Sequence, residues 1–296
     1  MRSLSLFGLV VILTVFPLCS GVVAAAEETG RPSAKTMKFQ QIRSATIKLS
    51  YGGVNFLIDP MLAEKDAYPG LPGSYNSQLR FPRVELPMPA DQVLDQVSAV
   101  ILTHLHPDHW DDATRRRLPK SIPIFTQNEA DAASVRRDGF MTVRVLTGDA
   151  EFQGVRLYRT GGQHGPDVLM ASPLGQIMGE VSGIVLESPG YKTVYVAGDT
   201  VWTGAVEEAI RRHRPEVIIL NTAYARMEGF AGSLIMGKED LLRAHRMAPQ
   251  ATVIASHMET VNHAAQTRAE LRNYIDQVGM NRRRVLVPLD GEAYTF

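Results

Sequence analysis

The stretch "ILTHLHPDHW", residues 101–110, sets three histidines and an aspartate within six positions directly behind an apolar run. The chain has eight histidines in all, so such a concentration calls for a chemical reason. His104 and His106 stand two apart, and on extended backbone that spacing sends both imidazoles to one side, where they can share a metal ion. Pro107 keeps the extended run from continuing unchanged and frees Asp108 and His109 to point elsewhere. One nitrogen and one oxygen donor suit a second ion beside the first. A solvated histidine-rich loop would account for the composition but not for the buried strand in front of it.

A first-row ion takes about four ligands, and a catalytic site keeps one position for water. The cluster is therefore incomplete, and other strand ends must contribute. His164 follows a strand-like run behind two glycines in "YRTGGQHGPD", Asp199 follows another in "TVYVAGDT", and His257 a third in "ATVIASHMETVNH". Singly, each has an ordinary reading: a histidine in a glycine-rich loop is usually surface, and Gly-Asp-Thr is a common turn. Together they complete a site for two ions. His263 is the rival of His257, which lies closer to its strand end. His213 in "RRHRPE" and His245 in "RAHRMAP" sit on charged helices and read as solvent-facing.

A scaffold must hold these side chains. From Lys38 onward, short apolar runs alternate with helical segments and no composition break divides them. "FQQIRSATIKLSYGGVNFLIDP" reads as antiparallel strands turning at Tyr51-Gly52-Gly53. "AVILT", "VRVL", "VRLYRT", "SGIVLES", "TVYVAG", "EVIILN", "ATVIAS" and "RVLVP" follow, several of them continuous enough to be buried on both faces. Helical spacing covers 128–137, 204–213 and 238–247, and Thr267 with Glu270 makes a capping box for a last helix that stops at Gly279. Mixed sheets covered by helices are the implied architecture. Two segments, Ala63 to Ala90 and Thr222 to Gly237, have no regular pattern and read as lids or binding walls, or as surface insertions.

Composition sets outer limits. With 45% hydrophobic and 21% charged residues in 296, the chain can bury a large core. Lysine plus arginine equals aspartate plus glutamate at 31 each, so no net field recruits a polyanion, and no nucleic-acid partner is expected. Residues 1–26 read as a signal peptide cut after Ala26, followed by a flexible stretch at 27–37 and a single domain at 38–296. The mature protein is then expected in the periplasm with no membrane span; an uncleaved anchor is the alternative. Cys19, the only cysteine, falls inside the leader, which excludes disulfides, thiolate ligands and thiol nucleophiles from the mature chain.

Taken together, "FLIDP", "THLHPDH", "GGQHG", "AGDT" and "IASHMETVNH" resemble, in this order, the metallo-β-lactamase superfamily across nearly the whole mature chain. The resemblance implies an α/β fold, a four-layer αβ/βα sandwich of two mixed β-sheets flanked by helices, with a dinuclear centre at the sheet edges. By motif, His104, His106 and His164 would hold the first ion, and Asp108, His109 and His257 the second. Asp199 would bridge them, and Asp59 would support the site. True β-lactamases of this fold generally lack the bridging aspartate and many use a cysteine, so antibiotic hydrolysis is the weaker implication. The later motifs look more similar to the ascorbate-6-phosphate lactonase and N-acylphosphatidylethanolamine phospholipase D branches.

The expected activity is metal-dependent hydrolysis, in which a metal-bridging hydroxide cleaves an ester, lactone or phosphodiester-type bond of a small or lipid-like substrate. Zinc is the default for both ions, with manganese and iron as alternatives. Asp108 could also orient the hydroxide, while His263, Asn262 and Tyr224 are candidates for touching substrate or protonating the leaving group. A metal-binding protein without catalysis is the competing reading, but such proteins usually carry their histidines in low-complexity tracts. A serine hydrolase is disfavoured because no Gly-x-Ser-x-Gly elbow is present.

Overall fold

The computed structural model describes residues 35–296, together with Met1 and Gly8. Apart from those two positions, the expected leader lies outside the described residues, as do residues 27–34 of the flexible stretch. Among the described residues, no helix is long and apolar enough to cross a membrane.

The opening hairpins form as the turn at Tyr51-Gly52-Gly53 predicts. Strands β1 (Lys38–Arg43), β2 (Thr46–Tyr51) and β3 (Val54–Ile58) pair antiparallel, and β4 (Ala99–Ile101), β5 (Ile124–Thr126) and β6 (Val143–Val145) extend the sheet in parallel. The second sheet repeats this plan. Its β7 (Asp149–Phe152), β8 (Val155–Gly161), β9 (Ser182–Glu187) and β10 (Val194–Val196) are antiparallel, whereas β11 (Val217–Asn221), β12 (Thr252–Ser256) and β13 (Val285–Leu286) continue in parallel. The last strand, β14 (Ala293–Thr295), returns to the first sheet beside β1.

Period-two alternation within the apolar runs builds the layers. Phe56, Ile58, Ala99 and Ile101 of the first sheet face Val217, Ile219 and Ile254 of the second in one apolar layer. The alternate residues face outward: Leu57 and Val100 pack with Val93, Leu118 and Val135 of the first sheet's helices, and Ile218, Leu220 and Val253 pack with Val206, Leu241 and Leu271 of the second's. Continuous runs such as "VIILN" therefore serve two cores at once, and the result is the four-layer sandwich that the resemblance implied.

The helices are α1 (Ala90–Leu94), α2 (Asp112–Arg117), α3 (Glu129–Arg137), α4 (Asp167–Met170), α5 (Pro173–Met178), α6 (Gly204–His213), α7 (Lys238–Met247) and α8 (Arg268–Gln277). Asn128 caps α3 by accepting from the Asp131 amide at 2.8 Å. In the expected box at α8, Thr267 accepts from Glu270 N, and the Glu270 carboxylate accepts from Thr267 N at 2.8 Å.

Two histidines depart from expectation. His213 is not solvent-facing: it is half-buried, donates from Nδ1 to Glu187 at 2.8 Å and lies against the Tyr158 ring. His245 is likewise half-buried, with its Nδ1 enclosed by protein. Charged neighbours mark one face of a helix as wet, but not the face on which the histidine stands.

The two unassigned segments form one wall. Ser74 and Met227 make a bridge between them, Tyr75 N donates to Arg226 O at 3.1 Å and Glu228 N to Gly73 O at 2.9 Å, and the Arg226 guanidinium lies over the Tyr75 ring. Buried Arg43 anchors the first segment by donating to the carbonyls of Val84, Met61 and Ala63. Asp111 adds a second anchor, accepting from Leu62 N, Ala63 N and the Tyr68 hydroxyl while also capping α2 through Thr114 N.

Candidate metal centre

Parallel strands deliver their C-terminal ends to a common edge, and the chemistry-bearing residues stand there. Asp59 follows β3, the His104–His109 segment follows β4, Asp199 follows β10 and His257 follows β12. His164 comes from β8, which runs the same way as β10 because both are antiparallel to β9. The Pro107 turn closes with His109 N and Trp110 N both donating to His106 O at 2.9 Å, so Asp108 and His109 leave the line of His104 and His106.

Seven side chains separated by up to about 150 positions meet here in two groups. Donor atoms of His104, His106 and His164 lie within 4.8 Å of one another, as do those of Asp108, His109, Asp199 and His257. Asp199 touches both groups: its Oδ2 is 3.1 Å from His109 Nε2, 3.6 Å from His257 Nε2 and 3.7 Å from His164 Nε2. His257 Nε2 is also 3.2 Å from Asp108 Oδ2. All seven are buried except His106, which is half-buried.

The hydrogen bonds behind these rings decide which nitrogens are bare. His164 Nδ1 faces the Leu234 carbonyl at 3.1 Å and His106 Nε2 the Ile177 carbonyl at 3.1 Å. A carbonyl only accepts, so both of those nitrogens carry their protons. The opposite nitrogens, His164 Nε2 and His106 Nδ1, then face each other at 3.2 Å as two lone pairs. His104 follows the same logic. Thr103 Oγ1 donates to Asp59 at 2.6 Å and so accepts from His104 Nδ1, leaving His104 Nε2 buried without a partner among the described residues. Three inward lone pairs with protonated outer nitrogens are what a cation requires and what a neutral core would avoid.

In the second group, Asp59 Oδ2 accepts from His109 Nδ1 at 2.9 Å and turns Nε2 inward. Asn221 Nδ2 donates to Asp199 Oδ1 at 2.7 Å, which aims Oδ2 at the imidazoles. Glycine is required at 198, where φ is +69° and a Cβ would sit 2.5 Å from Ser182 O. Left-handed backbone recurs around the site, at Asp59 (φ 47°) and His257 (φ 64°), as strained positions do where the surroundings over-determine them.

Electrostatics agree with the donor geometry. Burial, aided by His109 and His106, holds His104 well below the usual histidine range, and burial takes His164 to about 4. Both are therefore neutral donors near pH 7. Burial alone would also lower His109, but Asp199, Asp108 and Asp59 outweigh it and raise that imidazole well above its usual value. Burial opposes ionisation of Asp108 and Asp199 too, yet the surrounding histidines hold both carboxyls well below their usual range. Without a cation, a proton on His109 balances these carboxylates.

Three expected substrate-facing residues fare differently. His263 adjoins the cluster, buried, with no partner at Nδ1 among the described residues; burial lowers it to about 4. Asn262 is committed to the wall: its amide donates to Ser74 Oγ at 2.8 Å and Tyr75 O at 3.0 Å and accepts from Leu71 N. These bonds fit the structural reading that its place in a loop also allowed. Tyr224, half-buried, lays its ring on Gly237. Thr103, Asn221 and Ser44 escaped the sequence reading because single polar residues at strand ends carry no periodic signal.

Replacing Asp59 with asparagine is expected to weaken metal binding by about 10- to 100-fold, because both Asp59 oxygens accept, from Thr103 N and from Thr103 Oγ1 with His109 Nδ1, and an amide must turn its NH2 on one of these donors. Titration of metal-free protein with zinc would measure the change.

A cleft of about 490 Å³ opens on the His106 side of the cluster, between α3 and α5, with Ala130, Ile177 and Met178 among its walls. Ile177 on its wall is 64% exposed, and Asn128, Asp131 and Glu180 line the cleft as well.

The beta-lactamase superfamily domain matches residues 54–258 of the chain. The UPF0173 protein YddR of Bacillus subtilis is 48% identical over 261 residues, which are 88% of this chain and all of that protein. The crystal structure of a possible metal-dependent hydrolase from Veillonella parvula superposes with a TM-score of 0.87 at 45% identity, covering 88% of this chain and 100% of that one. An isothiocyanate hydrolase from Delia radicum gut bacteria superposes with a TM-score of 0.84 at 47% identity, covering 88% and 99%.

Proposed function

We propose, from the premise that this chain belongs to the beta-lactamase superfamily and is a metal-dependent hydrolase, that it adds water to the central carbon of small organic isothiocyanates. The observation that carries the hydrolytic part is the set of inward, unprotonated imidazole nitrogens beside two ionised aspartates. The substrate class is supported by the 47% identity to an isothiocyanate hydrolase and by the apolar side chains of Leu105, Ala130, Ile177 and Met178 on the cleft's walls. An isothiocyanate presents an electrophilic carbon and an apolar substituent, which the two features match in turn.

In this reading His104, His106 and His164 would hold one cation and Asp108, His109 and His257 the other, with Asp199 between them. Zinc suits the nitrogen-rich donor set. Two divalent cations held there would supply Lewis acidity and would bring the pKa of a water toward neutrality. Asp108 and Asp199, kept ionised by their neighbours, orient that water and accept its hydrogen bonds. His263, neutral near pH 7, serves as a hydrogen-bond donor toward charge developing on the substrate rather than as a cationic acid. Water adds to the carbon to give a thiocarbamate; the C–N bond then breaks and nitrogen takes the proton. One isothiocyanate and one water thus yield one amine and one carbonyl sulfide.

Purified protein given 2-phenylethyl isothiocyanate should release amine and carbonyl sulfide in equal amounts, faster than it turns over ester, lactone or phosphodiester probes. Faster turnover of a lactone or phosphodiester, with no amine released, would overturn the substrate assignment. Placing tryptophan at Ala130 should lower kcat/KM for the phenylethyl substrate by about 10- to 100-fold, the worth of one excluded aryl group. Methyl isothiocyanate should be nearly indifferent to that change, and a steady-state comparison of the two substrates checks it.

A further inference from the structure

We infer that the ion cluster that buried Arg268 makes with half-buried Glu259 and Asp290 is a positioning device for His257 and sets the affinity of the second cation site; the inference rests on the metal-centre reading above. His257 and Glu259 both occupy left-handed backbone, at φ 64° and 60°, a conformation that neither residue type favours unaided. Something must hold each of them. At His257 it is the β1–β2 turn: His257 N donates to Ser44 O at 3.0 Å, and Nδ1 lies 3.4 Å from Ser44 Oγ. Glu259 is held by Arg268, the first residue of α8. Its Oε1 accepts from the Arg268 backbone N at 2.9 Å and its Oε2 from Nη1 at 2.7 Å.

Arg268 is itself fixed, its side chain 7% exposed. Nη2 donates to Asp290, and Nε donates to the Pro288 carbonyl at 2.8 Å. Both partners lie on the chain segment that leads into β14. The guanidinium therefore ties three pieces of chain together: the loop carrying His257, the start of α8, and the return to the first sheet. A planar fork with several fixed donors can do this, whereas an ammonium cannot. Released from Arg268, Glu259 would relax toward extended backbone, and the turn beginning at His257 would rotate its imidazole away from Asp108 and His109. The first group draws on none of these segments, since His104 and His106 follow β4 and His164 follows β8.

The prediction is a selective one. Glu259→Gln, which keeps the volume, and Arg268→Lys, which keeps the charge, should each weaken the second zinc-binding event by about 10-fold or more. The first event should stay within about twofold. Arg268→Met should be weaker at the second site than Arg268→Lys. Calorimetric titration of metal-free protein with zinc resolves the two events, and circular dichroism checks that each variant is folded. Should wild type bind two zinc ions and the folded variants lose both equally, or neither, the positioning role is wrong and the metal centre stands. A wild type that binds no pair of ions overturns the metal-centre reading and this inference with it.

Discussion

Replacement of Asp199 by alanine is expected to lower turnover by at least about 10³-fold and to leave the protein short of its full metal content. Asp199 is the carboxylate that touches both donor groups, with Oδ2 within 3.7 Å of imidazoles from each. Its removal leaves Asp108 as the sole anionic donor among the two groups, and it leaves Asn221, whose amide now fixes the carboxylate's rotamer, without that acceptor. Like charges would then meet with less compensation between them. Elemental analysis alongside turnover measures both effects. Full metal content with an unchanged rate would exclude Asp199 from the centre.

The second large effect concerns the cations themselves. Stripping with a chelator should abolish hydrolysis, and zinc should restore it. Stability should fall as well, because ligands that bind only the folded chain stabilise it by about 4 kcal/mol at a free concentration a thousand times Kd. For a folded region of this size that corresponds to roughly 8–16 °C in Tm, which scanning calorimetry would read. Acid should empty the second group first. A cation entering there must displace the proton that Asp199, Asp108 and Asp59 stabilise on His109, so affinity falls as pH falls. His104 and His164 resist protonation, His164 to about pH 4, so the first group competes with fewer protons. Loss of the first ion before the second on acidification would contradict this assignment of charge.

Much of this centre was legible in the chain because its ligands follow apolar strands. "AVILT", "TVYVAG" and "ATVIAS" announce buried strands by their continuity, and the next polar residues had to emerge at the strand ends. The hairpins at the start and the capping box at Thr267 were equally plain, since each is a local interaction between neighbours in sequence. β5 and α4 were not: with three and four residues, and unlike β4 and β10, neither was set in a longer apolar run that announced it. Their conformation is decided by the sheet or helix they meet.

Loops 63–90 and 222–237 showed no regular pattern for a related reason. Each is irregular alone, and only their pairing through Ser74 and Met227, pinned by Asn262, makes a wall. Asn262 offered a substrate contact or a structural loop role equally well in sequence, and its bonds to the wall exist only once the two loops have paired. His213 and His245 were misplaced because burial on a helix depends on what packs against it.

What the amino-acid order determined by itself was local: strands, caps, the identity of the donor residues and the side of the strand edge on which they fall. The convergence of His164, Asp199 and His257 on the His104 segment, the tautomer that each distant carbonyl or carboxylate imposes, and the bracing of His257 by Ser44 and Glu259 were decided only by tertiary structure. Their partners lie tens to hundreds of residues apart. Nothing in a chain's local pattern encodes such contacts until two sheets have packed face to face and brought their edges together.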